Sequence, residues 1–439
     1  MGIALAFHRC PKGGHGSYDK IIVAAWNFRP YVCLELLLPR LSHWPPLFLL
    51  LILAASALLA VGCAAAGAGE NDERTQSLES LPPEFAKVAE VWDLLEEKHV
   101  GAGSIDPGAV ADGAIRGMMD SLDDPHAAYL APDQYSMMRQ DIQGYFEGIG
   151  AEVGMRNGLI TIIAPIPDTP AEEAGVLPRD VILEIDGEST EGLELFEVIN
   201  RIRGQQGTTV RLLVRRDSTG ETEELEIVRG VIPLESVRLT MLVGRIGHLR
   251  ITSFSGTSKE ELERALERFQ RSRGLGLVVD IRNNPGGLVS AVVEVTSQFV
   301  GEGLVLYQLD GQGNRRDWNV EQGGIALDVP MVVLMNNGSA SASEVFAGAI
   351  MHHGRAPTIG VTTFGKGSVN NLWPLTDGSA VNFTIARWYT PSGELIEGEG
   401  VTPDIIQEAS EDDSEDLQLD LAIEELTKLI ENSQATANR

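Results

Sequence analysis

Cysteine is scarce in this chain of 439 residues, and the three that occur, Cys10, Cys33 and Cys63, lie within its first 63 residues. The sequence after them therefore offers no disulfide and no thiolate ligand for a metal. It also contains neither an HExxH motif nor histidines clustered at the spacing of metal ligands. We therefore expect no bound metal.

Positive charge is scarce as well. The chain carries 34 Lys and Arg against 63 Asp and Glu, which gives a formal net charge of −29 at pH 7. Affinity for nucleic acid comes mainly from Lys and Arg on phosphates, so this balance argues against a nucleic-acid partner. It argues equally against electrostatic attraction to an anionic lipid surface.

Lysine is the rarer basic residue, with seven lysines against 27 arginines. Lys366 is the only lysine between Lys259 and Lys428, and a glycine flanks it on each side. Arginine keeps its proton under ordinary conditions, whereas a lysine shielded from water can give it up, because burial disfavours the ammonium form. Lys366 is therefore a candidate general base. The alternative is a lysine that binds a phosphate or a carboxylate.

An uncharged, mainly apolar run covers residues 46–66, with basic residues before it and acidic residues after it. This asymmetry predicts that the N-terminus stays in the cytoplasm and that the body of the chain is exported. The run is long enough for a membrane anchor, and it also suits a secretory signal or a lipoprotein signal that is lipidated on Cys63. Residues 60–63, AVGC, resemble a lipobox in which Ala60 replaces the usual leucine. We expect a bacterial cell-envelope protein outside the cytoplasm, either membrane-attached or secreted.

The rest of the chain changes its pattern twice. Apolar residues recur at helical spacing between residues 84 and 143, and short β-patterned runs punctuated by glycine and proline follow. From residue 231 strands alternate with helices, which predicts an α/β core with a parallel or mixed sheet. We predict a multidomain α+β chain with these parts: an N-terminal extension and signal or anchor (1–66), a linker (67–83), a helical domain (84–143), a β-domain (144–230), an α/β core (231–407), and an acidic linker with a C-terminal helix (408–439).

The predicted β-domain resembles a PDZ domain. Four pieces carry the resemblance in order: GIG as the carboxylate-binding loop (148–150), TPAEEAG as the short helix (169–175), DVILEIDG as the core strand and turn (180–187), and the amphipathic stretch that lines the groove (193–202). PDZ domains hold the free carboxylate of an extended peptide on backbone N–H groups. The resemblance therefore implies peptide binding at Gly148, Ile149 and Gly150. The alternative is a structural β-domain without a ligand.

A candidate nucleophile lies in the stretch NNGSASASE, residues 336–344, between a predicted buried strand and a predicted helix. Ser339, Ser341 and Ser343 compete for the role. Ser341 has alanine on both sides, and it falls at the first helical turn, where free N–H groups favour negative charge. The alternative is that these serines only cap the helix.

An oxyanion hole needs N–H donors that point at the developing negative charge. Gly286 and Gly287 follow another predicted buried strand, and glycine lets a backbone approach closely. The amide of Ala342, next to Ser341, is the third candidate. The alternative for Pro285 and the two glycines is a tight strand-to-helix turn.

A histidine base is the competing arrangement for an activated serine. His352 and His353 lie about three helical turns beyond Ser341 on one predicted helix, too far to touch its hydroxyl. His248 lies in a predicted strand, and the sequence leaves it open as a base.

Taken in order, these motifs resemble those of the C-terminal processing peptidases, also called tail-specific proteases, from about residue 84 to residue 406. The matching stretches are DDPHAAYL (123–130), the PDZ-like segment, DIRNNPGG (280–287), SASASE (339–344), TFGKGS (363–368) and YTPSGELIEGEGVTPD (389–404). The resemblance implies a Ser-Lys dyad of Ser341 and Lys366 that works without ATP, metal or cofactor. Many members add a glutamine four residues after the lysine. Here Asn370 occupies that position, with a side chain one methylene shorter, and is the candidate third member.

We therefore predict an exported, ATP-independent serine endopeptidase that recognises substrate C-termini through its PDZ domain. The expected partners are proteins with accessible C-terminal tails and, through the N-terminal anchor or lipid, the membrane; oligomerisation is left open. The resemblance also implies that the PDZ domain gates the site, and Arg203, after the groove helix, is a candidate for the ion pair that couples ligand to gate. The alternative, suggested by Asn370, is a tail-binding adaptor with weak or no catalysis.

Overall fold

The computed structural model describes residues 81–410 and 415–437. The predicted signal or anchor at 46–66, with Cys63, lies outside the described residues. Within them, no helix is long and apolar enough to cross a bilayer. The chain divides into two compact units, residues 1–104 and residues 105–439, which are considered separately.

The described part of the first unit is one helix between two short turns of 3₁₀-helix. Helix α1 (Ala86–Lys98) follows the turn Pro83–Phe85, and Ala102–Ser104 forms the second turn. Proline at the start suits a helix N-terminus, because the first N–H groups of a helix have no partner within it. The helix ends at His99, whose backbone is extended. The helix predicted from Phe85 onwards is present.

The second unit opens with two helices and a short strand: α2 (Pro107–Asp120), β1 (Ala128–Leu130) and α3 (Pro132–Gln143). Asp106 caps α2 by accepting a hydrogen bond from the Gly108 N–H. Helix α3 ends at Gly144, whose positive φ of 87° suits glycine. Strand β1 pairs with a strand near the C-terminal end of the core. The segment expected to be a separate helical domain is therefore partly built into the core.

The β-domain follows and contains a six-stranded sheet, a separate pair of strands and two helices. Its strands are β2 (Tyr145–Gly148), β3 (Ala151–Arg156), β4 (Leu159–Pro165), β5 (Val181–Ile185), β6 (Glu188–Ser189), β7 (Thr209–Arg215), β8 (Thr222–Val228) and β9 (Gly230–Pro233), and its helices are α4 (Pro170–Glu173) and α5 (Leu195–Ile202). The sheet has the order β3-β4-β5-β7-β8, with β6 on β5, whereas β2 pairs with β9 apart from it. Ile162, Val198 and Leu212 lie in its own apolar core.

The core contains the mixed sheet that the sequence predicted. Its elements are β10 (Val237–Leu242), β11 (Ile246–Ile251), α6 (Ser258–Arg271), β12 (Gly276–Asp280), α7 (Val289–Ser297), β13 (Leu304–Asp310), β14 (Arg315–Asn319), β15 (Met331–Met335), α8 (Ala342–His352), β16 (Thr358–Gly360), β17 (Ser368–Pro374), β18 (Ala380–Tyr389), β19 (Ile405–Ile406) and α9 (Leu417–Ala437). The sheet order is β10-β11-β12-β15-β16-β19, and only β10 runs antiparallel to its neighbour.

This sheet is covered by helices on both faces. Leu277 and Val279 of β12 share one apolar cluster with α6, α7 and α8. Val278, between them, points to the other face and packs with Leu426 of α9. Because successive side chains of a strand point to opposite faces, a strand buried on both sides is apolar along its length, as β15 is and as β12 is up to Asp280 at its end.

A second, antiparallel sheet was not predicted. It has the order β1-β18-β13-β14, and β17 pairs with β18 outside that path. Buried and exposed residues do not alternate regularly along β18, and β14 is almost entirely exposed. Strand β17 begins two residues after Lys366, so this sheet fixes where the loop carrying that lysine ends.

The C-terminal helix α9 depends on Leu426, which is fully buried against the mixed sheet. We expect Leu426→Ala to lower the free energy of unfolding by about 2–5 kcal/mol, because it leaves a cavity in an apolar core. Chemical denaturation measures the change. Leu417→Ala, at a half-exposed position of the same helix, is the control and is expected to cost less than about 1 kcal/mol. Equal effects of the two substitutions would contradict the packing of α9.

Candidate active site

The three candidate serines differ in their exposure and in their hydrogen bonds. Ser339 and Ser343 are fully buried, and both hydroxyls are engaged. Ser339 donates to the Ile281 carbonyl at 2.8 Å, and Ser343 donates to the Asn284 carbonyl at 2.8 Å. Ser341 is partly exposed. Of the three, it is the one whose hydroxyl a substrate can reach.

Ser341 is held in a rare backbone conformation between β15 and α8. Its φ is 55° and its ψ is −115°, values that cost a non-glycine residue about 1–3 kcal/mol. Its N–H donates to the Glu344 carboxylate at 2.7 Å, which holds this conformation. Such strain is typical of functional sites, where the surrounding structure fixes one geometry.

Glu344 joins the loop of the serine to the loop of the lysine. Its side chain is fully buried. One carboxylate oxygen accepts from the N–H groups of Ser341 and Lys366, at 2.7 and 2.8 Å. The other accepts from the Thr363 hydroxyl and the Gly365 N–H, both at 2.6 Å. Glu344 had no predicted role, although a glutamate three residues after a helix-capping serine is a recognisable signal.

Lys366 lies in the loop before β17 and is partly exposed. The same loop is tied to the serine turn a second time, because the Phe364 N–H donates to the Ser339 carbonyl at 3.0 Å. Among the hydrogen bonds and ion pairs of the described residues, none joins the Lys366 amine to the Ser341 hydroxyl. The two loops are thus brought together, while the dyad contact itself stays a prediction. Catalytic contacts are often long before substrate binds.

Asn370, the candidate third member, lies in β17 and pairs with Thr384 of β18. Its amide nitrogen donates weakly to the Thr384 hydroxyl, at 3.4 Å. Its amide oxygen is buried and has no hydrogen-bond partner. An unpaired buried acceptor costs about 1–3 kcal/mol, so this oxygen is suited to accept a hydrogen bond from a nearby donor.

The candidate oxyanion donors differ in whether their N–H groups are free. A β-carbon on Gly286 would lie 2.7 Å from that of Ser341, so the close approach requires glycine. The Gly286 N–H, however, donates to the Asn284 side chain at 2.9 Å. No acceptor is recorded within the described residues for the N–H of Gly287 or of Ala342. The N–H groups of Gly287 and Ala342 are therefore the two donors available to an oxyanion. Gly286 instead lets the turn approach Ser341 closely.

His248 is engaged elsewhere. Its Nε2 lies 3.0 Å from a carboxylate oxygen of Asp280, which is fully buried at the end of β12. Burial would raise the pKa of Asp280, but hydrogen bonds from His248 and Arg282 outweigh it and hold that pKa well below its ordinary value. His353 contacts the Leu304 carbonyl at the far end of α8. No contact within the described residues joins these histidines to Ser341.

An apolar groove begins at the turn of residues 283–287, called the oxyanion turn after its candidate oxyanion donors. It lies between α3, α5 and the turn, and its lining includes Met137, Met138, Ile142, Phe196, Phe254 and Gly287. Because α5 belongs to the β-domain and the turn belongs to the core, the groove joins the two. A peptide in this groove would have apolar walls beside the free N–H of Gly287.

The predicted carboxylate-binding loop lies between β2 and β3, beside the groove helix α5. Ile149 is buried, and its carbonyl accepts from the Ala171 N–H at 2.7 Å. Gly150 has a φ of 81°, and a β-carbon there would lie 2.4 Å from Thr169. The loop is thus held against Thr169 and the start of α4, while its binding of a substrate carboxylate stays a prediction.

Arg203 follows α5 directly and faces α3. Its guanidinium lies 3.0 Å from the Asp141 carboxylate and 4.5 Å from the centre of the Phe146 ring. Asp141 also lines the apolar groove. Arg203 therefore forms an ion pair with Asp141, and the coupling of ligand to gate through Arg203 stays a prediction.

Comparisons with known proteins agree with these features. Residues 245–407 match the family model described as Peptidase family S41, residues 161–216 match the PDZ domain, and residues 60–134 match the N-terminal domain of the activating protease CtpB. The carboxy-terminal processing protease CtpA of Bacillus subtilis is 36% identical over 73% of this chain and 68% of its own length. The carboxy-terminal-processing protease of Bartonella bacilliformis is 36% identical over 76% of this chain and 77% of its own.

A solved structure of the photosystem II D1 C-terminal processing protease is also similar. It is 29% identical and covers 75% of this chain and 94% of its own, with a TM-score of 0.45.

Glu344→Gln tests the carboxylate that joins the two loops. An amide offers one acceptor and places an NH₂ group against N–H donors, so we expect a loss of about 3 kcal/mol in the free energy of unfolding. We also expect slower reaction of Ser341 with a serine-directed covalent probe. Denaturation and labelling rates measure the two effects. Glu302→Gln, at an exposed position, is the matched control, and a Glu344 variant as stable and reactive as this control would contradict the assignment.

Proposed function

Because the chain belongs to peptidase family S41 and to its carboxy-terminal processing proteases, we propose that it cleaves exported proteins as an ATP-independent endopeptidase with a Ser341–Lys366 dyad. Membership of this family makes the chain a serine-type peptidase with a PDZ domain. The observation that carries the dyad is the Glu344 carboxylate, which accepts hydrogen bonds from the backbone of both residues.

In the proposed reaction the Ser341 oxygen attacks the carbonyl carbon of the substrate peptide bond, and its proton passes to the neutral Lys366 amine. The carbonyl oxygen becomes negative and accepts hydrogen bonds from the N–H groups of Gly287 and Ala342. As the peptide bond breaks, the Lys366 ammonium returns the proton to the leaving amine. Water then hydrolyses the acyl-enzyme, with Lys366 again taking and returning a proton.

Asn370 would orient the lysine in this reaction. Its unpaired amide oxygen is an acceptor without a donor, and an ammonium or amine group is a suitable donor. Since asparagine is one methylene shorter than the glutamine of many relatives, the contact requires a small movement of β17 or a bridging water.

The PDZ domain would hold the C-terminal carboxylate of the substrate on the loop 148–150 and lay the peptide beside β3. The apolar groove between α3 and α5 would then guide the chain towards Gly287. Arg203, paired with Asp141 on the wall of this groove, would link tail binding to the width of the groove. Residues 46–66 would keep the enzyme in the cell envelope, through a membrane anchor or through lipid on Cys63.

The dyad is tested by two substitutions. We expect Ser341→Ala to abolish cleavage of an unfolded protein with an apolar C-terminal tail. We expect Lys366→Arg to slow it about 100-fold or more, because arginine keeps its proton and cannot act as a base. Lys259→Arg, at a surface lysine that lies 3.7 Å from Glu321, is the control and should retain activity.

Cleavage that survives Ser341→Ala would move the nucleophile elsewhere. If wild-type protein neither cleaves nor reacts at Ser341 with a serine-directed probe, the PDZ-adaptor alternative is favoured. Two observations favour this alternative: the Asn370 amide oxygen is unpaired, and no Ser341–Lys366 hydrogen bond is present among the described residues.

Tail recognition is tested with matched peptides. A peptide with a free C-terminal carboxylate should bind the Ser341→Ala protein at least about tenfold more tightly than the same peptide with a C-terminal amide, because backbone N–H groups bind the charged carboxylate more strongly. Fluorescence anisotropy measures both affinities. Equal affinities would show that the loop 148–150 does not bind the C-terminal carboxylate.

A further inference from the structure

A second charged cluster lies just before the oxyanion turn, where β12 ends. Arg282 connects two carboxylates with both edges of its guanidinium. Towards the sheet, it donates to Asp280 through Nε at 3.0 Å and Nη2 at 2.8 Å. Towards the C-terminal helix, it donates to Asp416 through Nη1 at 2.8 Å and Nη2 at 2.9 Å. Such paired contacts fix the plane of the guanidinium as well as its position.

Burial makes this cluster stronger than a surface ion pair. The side chain of Asp280 is fully buried and that of Arg282 is 14% exposed, while that of Asp416 is 43% exposed. Burial would lower the pKa of Arg282, but the two carboxylates raise it above its ordinary value. The hydrogen bond from Arg282 lowers the pKa of Asp416 in turn, against the effect of burial.

Asp416 also fixes the start of α9. Its carboxylate accepts from the Leu419 N–H at 3.0 Å, which is the contact of a helix N-cap. Gln418 adds to the junction, because its side chain accepts from Arg282 at 3.2 Å and donates to the Gln407 carbonyl at 2.7 Å. One end of α9 is therefore bound to Arg282.

The residues that follow Arg282 form the oxyanion turn. The Asn283 N–H donates to the Asn336 side chain at 2.9 Å, and Asn283 has a positive φ of 58°. The Asn284 side chain then accepts from the Gly286 N–H at 2.9 Å. Arg282 and Gly287 therefore lie at the two ends of one short turn, and these hydrogen bonds hold the backbone between them.

We propose that Asp416 is a positioning residue for catalysis, through which the C-terminal helix fixes the oxyanion turn by way of Arg282. The inference rests on the proposed function, since it assigns the turn the work of stabilising an oxyanion. It makes α9 a required part of the active site, although the helix contributes no group to the reaction.

Asp416→Asn isolates this contact. Asparagine caps a helix as well as aspartate does, so its oxygen can keep both the Leu419 cap and the hydrogen bond from Arg282 Nη1. Its NH₂ group replaces the oxygen that accepts from Arg282 Nη2, so the substitution removes the charge and one of the two hydrogen bonds. We expect kcat for a tailed protein substrate to fall about tenfold with KM nearly unchanged, because a misplaced oxyanion donor affects the transition state more than the bound substrate. The labelling rate of Ser341 by a fluorophosphonate probe should fall by a similar factor.

Asp420→Asn is the matched control, since it removes the same charge from an exposed position of the same helix. It should leave kcat, KM and the labelling rate unchanged. Thermal unfolding of both variants shows whether a loss of stability explains the effect, and the labelling rate is measured on the folded, soluble fraction.

The outcomes separate the inference from the proposed function. Wild-type kcat and labelling rate in Asp416→Asn, with Ser341→Ala inactive, would overturn the positioning role and leave the peptidase assignment intact. Equal losses in Asp416→Asn and Asp420→Asn would also overturn it, because a general charge effect would then suffice. If the wild-type protein does not cleave a tailed substrate and is not labelled at Ser341, the proposed function fails first.

Discussion

The site depends on one carboxylate that has no access to water. A buried carboxyl group must find hydrogen-bond donors for both oxygens, since leaving them unpaired costs several kcal/mol. Glu344 finds its donors in two loops that are far apart in the sequence, and three of the four are backbone N–H groups. Satisfying this carboxylate therefore requires that the serine turn and the lysine loop lie side by side. The unusual φ of Ser341 is held by the same contact.

The parallel sheet supplies the other condition for the site. Because β12 and β15 are parallel neighbours, the turns after them meet at the same edge. The Asn284 carbonyl, in the first turn, accepts from the Ala340 N–H and the Ser343 hydroxyl of the second. The oxyanion turn and the serine turn are thus one hydrogen-bonded unit, and the buried serines that could not be nucleophiles hold it together.

The sequence predicted those parts whose signals are local. The buried strands β12 and β15, helix α6 and the serine turn follow from continuous apolar runs, helical spacing and a Ser-Ala motif. The antiparallel sheet of β13, β14, β17 and β18 was missed, since its half-exposed strands depend on distant partners for their pairing. Glu344 was missed because three of its four donors, from Thr363, Gly365 and Lys366, follow it by about one supersecondary unit. The engagement of the Gly286 N–H depends on where the Asn284 side chain points, which no local pattern encodes.

The pairing of β2 with β9 has a consequence for how this protein could change. The strand that enters the β-domain, β2, pairs with the strand that leaves it, β9, and Gly148 lies opposite Gly230. The neighbouring strands, β1 before the domain and β10 after it, both belong to core sheets. The domain is an insertion whose two ends are neighbours. It could be exchanged for another module, or replaced by a short turn, without rethreading the sheet that carries the serine. The module that selects the tail can therefore change during evolution while the sheet that carries the serine keeps its fold.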